Sequence, residues 1–289
     1  MTDLFAEPEF FREALGFTRQ HYGFPERLIE KDYLCSLLLE YLCDAHKNLV
    51  FKGGTCLAKV HADFYRLSED LDFVIPMPTD ASRASRSRAA EGLKTVIAAL
   101  PNRFPSVTVI EPLTGANSST QYNALVGYRS FVGQREETIK IEVGLREPLL
   151  HAVVSGDAKT ILLDPVSGRT LFPPKQVRCI SRAEAFGEKF RAAFTRREAA
   201  IRDFFDIDYA VQTLGLEPHD TELVGLVQAK LAVPGNEPIN VSAERLAVLR
   251  QQLAPQLRPV LREKDFRAFD LDRAFRVVAE MADRLHVRV

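Results

Sequence analysis

The chain has 289 residues, 46% of them hydrophobic, enough to bury a sizeable core in one large domain or two intimate ones. Lys and Arg total 38 against 39 for Asp and Glu, and this formal charge of −1 excludes a global attraction to nucleic acid, so any such surface must be local. No stretch approaches the ~20 apolar residues of a membrane span, and the acidic, polar start lacks the basic and apolar regions of a signal peptide, so a cytoplasmic location is expected.

Pro25 opens a helical pattern in which Leu34, Leu38, Tyr41 and Leu42 form one buried face. Glu30, Lys31 and Asp32 in its early turns are either solvated helix charges or braces for a site. Leu49, Val50 and Phe51 then predict a strand, and Cys56 to Phe64 suits a helix, which puts Gly53 and Gly54 at a strand-to-helix turn. Glycine lets backbone approach phosphate oxygens closely, and free N–H groups at a helix start supply donors and the favourable dipole end. Thr55 adds a hydroxyl. Asp70 and Asp72 are bracketed by Leu71, Phe73, Val74 and Ile75; a strand places both carboxylates on one face and turns Leu71 and Phe73 to the core. Two such carboxylates repel unless a cation lies between them, and hard oxygen donors suit magnesium shared with phosphates. A solvated surface pair is the bland alternative; the Gly-Gly-Thr turn fifteen residues earlier favours the site. Pro76 and Pro78 end this unit.

Asp80 to Leu100 predicts a helix carrying Arg83, Arg86, Arg88 and Lys94, either a solvated face or a phosphate-tracking patch. Strands are expected around Val107–Ile110, Ala124–Phe131 and Thr138–Leu145. In the last, Ile139, Ile141 and Val143 alternate with Lys140 and Glu142, so Glu142 faces away from the isoleucines, as a third carboxylate for the metal or as a cross-strand ion pair. After a loop with Pro165, Pro173 and Pro174 the pattern is helical to the C-terminus, which divides the chain into 1–174 and 175–289. Phe186, Phe190 and Phe194 bury one stripe and turn Lys189 to an adjoining one, where it either neutralises phosphate or pairs with Glu188 or Glu184. Cys35, Cys43, Cys56 and Cys179 lack ligand spacing and read as reduced core or semi-buried thiols rather than zinc ligands; the six histidines are scattered.

Phe51-Lys52-Gly53-Gly54-Thr55 followed by Arg66-Leu67-Ser68-Glu69-Asp70-Leu71-Asp72-Phe73 resembles the AbiEii/AbiGii-type nucleotidyltransferase toxins, which include the mycobacterial MenT toxins and belong to the polymerase-β-like nucleotidyltransferase superfamily. Glu30-Lys31-Asp32-Tyr33, Ile139-Lys140-Ile141-Glu142, Glu188-Lys189-Phe190-Arg191 and Arg202-Asp203-Phe204-Phe205-Asp206 resemble further family segments in the expected order. Glu142 stands where the family usually has aspartate, which keeps the carboxylate and lengthens its reach. The resemblance implies an α+β fold, a mixed nucleotidyltransferase sheet with helices followed by a C-terminal helical bundle. It implies Asp70, Asp72 and Glu142 as the metal-binding acidic triad, with Mg2+ as cofactor. Gly53, Gly54, Thr55, Arg66, Ser68 and Lys189 are then expected to bind nucleotide. Asp206 is expected to be a site residue and Asp203 a partner of Arg202 or Arg191, and Ser68 is a candidate for phosphate modification. The implied activity is nucleotide transfer from a nucleoside triphosphate to RNA, at the tRNA 3′ end, blocking translation, with a cognate antitoxin as partner and a monomer as the default state. Transfer to a protein or small-molecule hydroxyl, and a non-catalytic nucleotide sensor, are the alternatives.

Overall fold

The computed structural model describes residues 3–286 and divides into two compact units, Met1–Ile180 and Ser181–Val289. The first begins with helices α1 (Pro8–Tyr22) and α2 (Glu26–Ala45). Pro8 at the start of α1 and Gly23 just past its end, at φ 80°, are the residues that open and stop a helix at least cost. α2 is buried almost all round from Leu28 to Leu39, so Glu30, Lys31 and Asp32 must find partners inside the protein.

Strand β1 (Val50–Lys52) runs directly into α3 (Gly53–Cys56), whose backbone continues through a π-type turn at Leu57–His61 before β2 (Leu71–Val74). Helices α4 (Arg83–Ala98) and α5 (Leu100–Arg103) lead to a meander of β3 (Val107–Ala116), β4 (Gln121–Arg129) and β5 (Glu136–Gly144). Two short strands, β6 (Val154–Ala158) and β7 (Lys175–Cys179), complete a seven-stranded mixed sheet in the order β3-β4-β5-β2-β1-β7-β6. β2 is antiparallel to β1 and parallel to β5, and β7 is parallel to β1. Phe51 and Phe73 face each other in the core with ring centroids 5.6 Å apart, beside the buried Leu71, Ile141 and Val143.

Pro173 and Pro174 do not end this unit, because β7 follows them and pairs with both β1 and β6; the division falls after Ile180 instead of near 174. β3 is longer than the predicted Val107–Ile110, and an edge position with shifted register accommodates its Pro112.

The second unit is helical: α6 (Arg182–Thr195), α7 (Ile201–Thr213), α8 (Thr221–Leu231), α9 (Ala243–Gln252), α10 (Glu263–Ala268) and α11 (Leu271–His286). The expected stripe of Phe186, Phe190 and Phe194 is fully buried where α6 packs on α7 and α8, and Phe204 of α7 stacks on Phe275 of α11 at 5.9 Å. A mixed sheet followed by helices is thus the observed fold.

Candidate active site

Strand register brings the polar residues of three separate motifs into one row. Lys52 lies opposite Asp72, Asp72 beside Glu142, and Glu142 opposite Asn123 of β4. Residues in lateral register share a face, so these four project from one side of the sheet while Phe51, Phe73, Ile141 and Ala124 are buried. Asp70 sits just ahead of β2, and its carboxylate accepts the backbone N–H of Lys140 at 3.2 Å, which ties it to β5.

Lys140 is the residue that sequence reasoning left out. Its ammonium lies 2.7 Å from the Glu142 carboxylate. Burial opposes the Lys140 charge, but the bond to Glu142, with Asp72 and Asp70 beyond it, more than offsets that and raises its pKa. The period of two had already placed Lys140 and Glu142 on one face, which was the available signal. Three carboxylates against Lys52 and Lys140 leave an acidic surplus of hard oxygen donors, and this donor set fits magnesium.

The Gly-Gly-Thr turn is shaped around the same carboxylates. Gly53 has φ +76°, and a Cβ there would come 2.2 Å from Asp72 Oδ2, so glycine is required both by the backbone and by the approach of Asp72. A Cβ on Gly54 would meet Arg66 Nη2 at 2.6 Å and Ser68 Oγ at 3.1 Å. Arg66 is buried, with Nη1 donating to the Leu67 carbonyl at 3.2 Å. Thr55 is also buried, and its hydroxyl donates to the carbonyl oxygen of Asp70, so it holds the carboxylate segment to the turn. β2 starts only at Leu71, so Arg66 and Ser68 belong to the loop before it.

Glu30, Lys31 and Asp32 are braces, not solvated charges. Glu30 accepts from Ser130 Oγ at 2.7 Å and from the Phe131 and Val132 N–H groups, and burial raises its pKa. Lys31 and Arg27 both reach Glu69, at 3.4 and 3.1 Å, beside Asp70. Asp32 forms a fully buried pair with Lys59 at 2.6 Å, and Lys59 also donates to Ser36 Oγ at 2.7 Å. Tyr33 accepts the Leu4 N–H at 2.7 Å through its hydroxyl.

In the helical unit Lys189 bridges Asp203 and Asp206, at 2.7 and 2.8 Å. Glu184 and Glu188 instead hold the buried Lys230, at 2.7 and 3.2 Å. Asp203 pairs with Lys189 and lies 3.0 Å from Arg196 without an aligned hydrogen bond; Arg202 and Arg191 reach Gln256 and Asn236. Arg83 and Arg88 are exposed, Arg86 donates to the Ala81 and Ser118 carbonyls, and in the helical unit Arg197 pairs with Glu237.

The family model for the nucleotidyl transferase AbiEii toxin of type IV toxin-antitoxin systems matches residues 37–280. No curated protein matches the chain. The structure is similar to that of JHP933 from Helicobacter pylori, with a TM-score of 0.53 and 17% identity over 92% of this chain and 94% of that one. It is also similar to MenT4, the nucleotidyltransferase toxin Rv2826c of Mycobacterium tuberculosis H37Rv, with a TM-score of 0.52 and 19% identity over 95% and 97% of the two chains. These likenesses carry the fold. With the family model spanning the greater part of its length, from the second half of α2 to α11, the chain belongs to the AbiEii nucleotidyltransferase toxin family.

Proposed function

We propose that the protein transfers a nucleotidyl group from a nucleoside triphosphate to an RNA hydroxyl at the 3′ end of tRNA, and so blocks translation. The observation that carries the transfer chemistry is the lateral register of Asp72 with Glu142, with Asp70 tied to the same strand through the Lys140 N–H. Asp70, Asp72 and Glu142 would hold Mg2+, which when bound neutralises charge on the transferring phosphate and makes the attacking hydroxyl more acidic. The hydroxyl oxygen attacks the α-phosphorus, the bond to the β-phosphate breaks, pyrophosphate leaves and Glu142 takes the hydroxyl proton. Gly53 and Gly54 present backbone to the triphosphate. Thr55 and Arg66 act beneath that turn, by fixing Asp70 and filling the space under Gly54.

Lys189 and Asp206 enter this assignment through the family resemblance. Lys189 already balances Asp203 and Asp206, so a phosphate would have to share it. The tRNA acceptor also rests on the resemblance, with exposed Arg83 and Arg88 as the local positive charge that an RNA backbone needs. Family membership implies a nucleoside triphosphate substrate and a cognate antitoxin. A monomer acting in the cytoplasm is part of this proposal; among the described residues no helix is long and apolar enough to cross a membrane.

The test is incubation with magnesium, total cellular RNA and each α-labelled nucleoside triphosphate, with Asp70→Asn as control. Label in a tRNA-sized band that the variant loses supports the proposal. Label confined to protein would redirect it to a protein hydroxyl, and tight nucleotide binding without any transfer would make the chain a sensor.

A further inference from the structure

Cys56, His61 and Cys179 carry no ligand spacing in sequence, yet one ligand atom of each lies within 4.8 Å of the others. Cys56 closes α3, His61 ends the π-type turn that follows, and Cys179 ends β7. Both cysteines are fully buried and His61 is half-buried, so the imidazole is the most exposed member of the cluster. The other two thiols, the buried Cys35 and the partly exposed Cys43, are each pushed by burial up to about 12, as for inert thiols.

The His61 ring supplies a second, independent observation. Its Nε2 lies 3.1 Å from the carbonyl oxygen of Ile180. A carbonyl only accepts, so this contact calls for Nε2–H, and in the neutral ring that tautomer leaves the Nδ1 lone pair available to a metal. A backbone carbonyl holding one ring N–H while the other nitrogen ligates is the usual arrangement around metal-bound histidine. Register also separates this cluster from the carboxylates: Cys179 pairs with Phe51, on the sheet face opposite that of Lys52 and Asp72.

We propose that Cys56, His61 and Cys179 form a site for a thiophilic divalent cation of the zinc class. Two thiolates and an imidazole are soft and borderline donors, which prefer zinc or cadmium to the magnesium suited to the carboxylates. Zinc binds thiolate at about 2.3 Å and imidazole at about 2.0 Å, so its ligand atoms stand roughly 3.5–3.8 Å apart. Closing from the observed spacing takes about an ångström of side-chain movement. Because Cys56 directly follows Thr55, an ion here would pin the Gly-Gly-Thr helix to β7.

The test titrates the reduced full-length protein with Cd2+, following the thiolate-to-metal charge-transfer band and its displacement by Zn2+, with the thermal unfolding midpoint read in parallel. One equivalent should bind and raise the midpoint. Cys56→Ser and Cys179→Ser should each lose the band, Cys35→Ser should keep it, and His61→Ala should weaken binding at least about tenfold. His61 is half-buried, so His61→Ala opens less of a core cavity than a cysteine change and remains informative if a cysteine variant fails to fold. An absent band, a band that survives Cys179→Ser, or unchanged affinity in His61→Ala would overturn the site. So would a Cys56–Cys179 disulfide in protein prepared without oxidant that takes up no metal once reduced.

Discussion

At Gly53 two requirements meet: a left-handed backbone and a carboxylate packed where a side chain would go. Gly53→Ala should therefore cost more than about 1 kcal/mol of stability and displace Asp72, lowering transfer activity more than the stability loss explains. Urea titration beside initial rates separates the two effects, and a variant with unchanged rates would contradict this role for Gly53. Glu142→Gln keeps the shape but removes the charge paired with Lys140, and it should reduce the rate by at least about a hundredfold if Glu142 takes the proton and shares the cation. A loss below tenfold would make Glu142 only a partner of Lys140. The carboxylates were legible in sequence because a strand's period of two is strict. Their companions were less so: Lys140 read as the polar half of an alternation, and Lys189 had several acidic neighbours in sequence but pairs with Asp203 and Asp206 one helix away.

Among the elements, α2 carries charges into the core and spends each of them on a neighbour. The Asp32–Lys59 pair is fully buried, so either Asp32→Ala or Lys59→Ala strands a charge and should cost about 3–5 kcal/mol. Replacing both with apolar residues of similar volume should cost clearly less, and equal costs would show that the pair's charge is not what matters. Denaturant unfolding of the three variants decides this. α2, β2, β5 and the longer helices of the second unit were readable because each shows a period, and β1 because an apolar run leads into the Gly-Gly-Thr turn. β6 and β7 were not: Val154-Ser155-Gly156-Asp157-Ala158 has little strand propensity, and β7 shows only Val177 and Cys179 as inward residues. Their existence is decided by pairing with β1 and with each other, a long-range fact absent from any local window. The same pairing brings Cys179 to Cys56 and His61, a convergence no spacing rule could find.

For the whole molecule, a formal charge of −1 means that RNA affinity must come from a few placed cations. Arg83 and Arg88 are exposed, whereas Arg86 and Arg197 are engaged with carbonyls or carboxylate. Arg83→Ser with Arg88→Ser should weaken RNA binding and reduce the slope of log affinity against log salt by roughly 0.7–0.9 for each phosphate no longer neutralised. An unchanged slope would move the RNA surface elsewhere. Asp72 bears most directly on the central claim, since it joins the Gly-Gly-Thr turn to Glu142. The decisive measurement is the rate of nucleotidyl transfer from labelled nucleoside triphosphate to tRNA by wild-type protein and Asp72→Asn, with magnesium and with chelator, after unfolding curves have shown both proteins folded. The carboxylate site predicts transfer that chelator abolishes and that Asp72→Asn loses by more than about a hundredfold; full activity in the folded variant would contradict it.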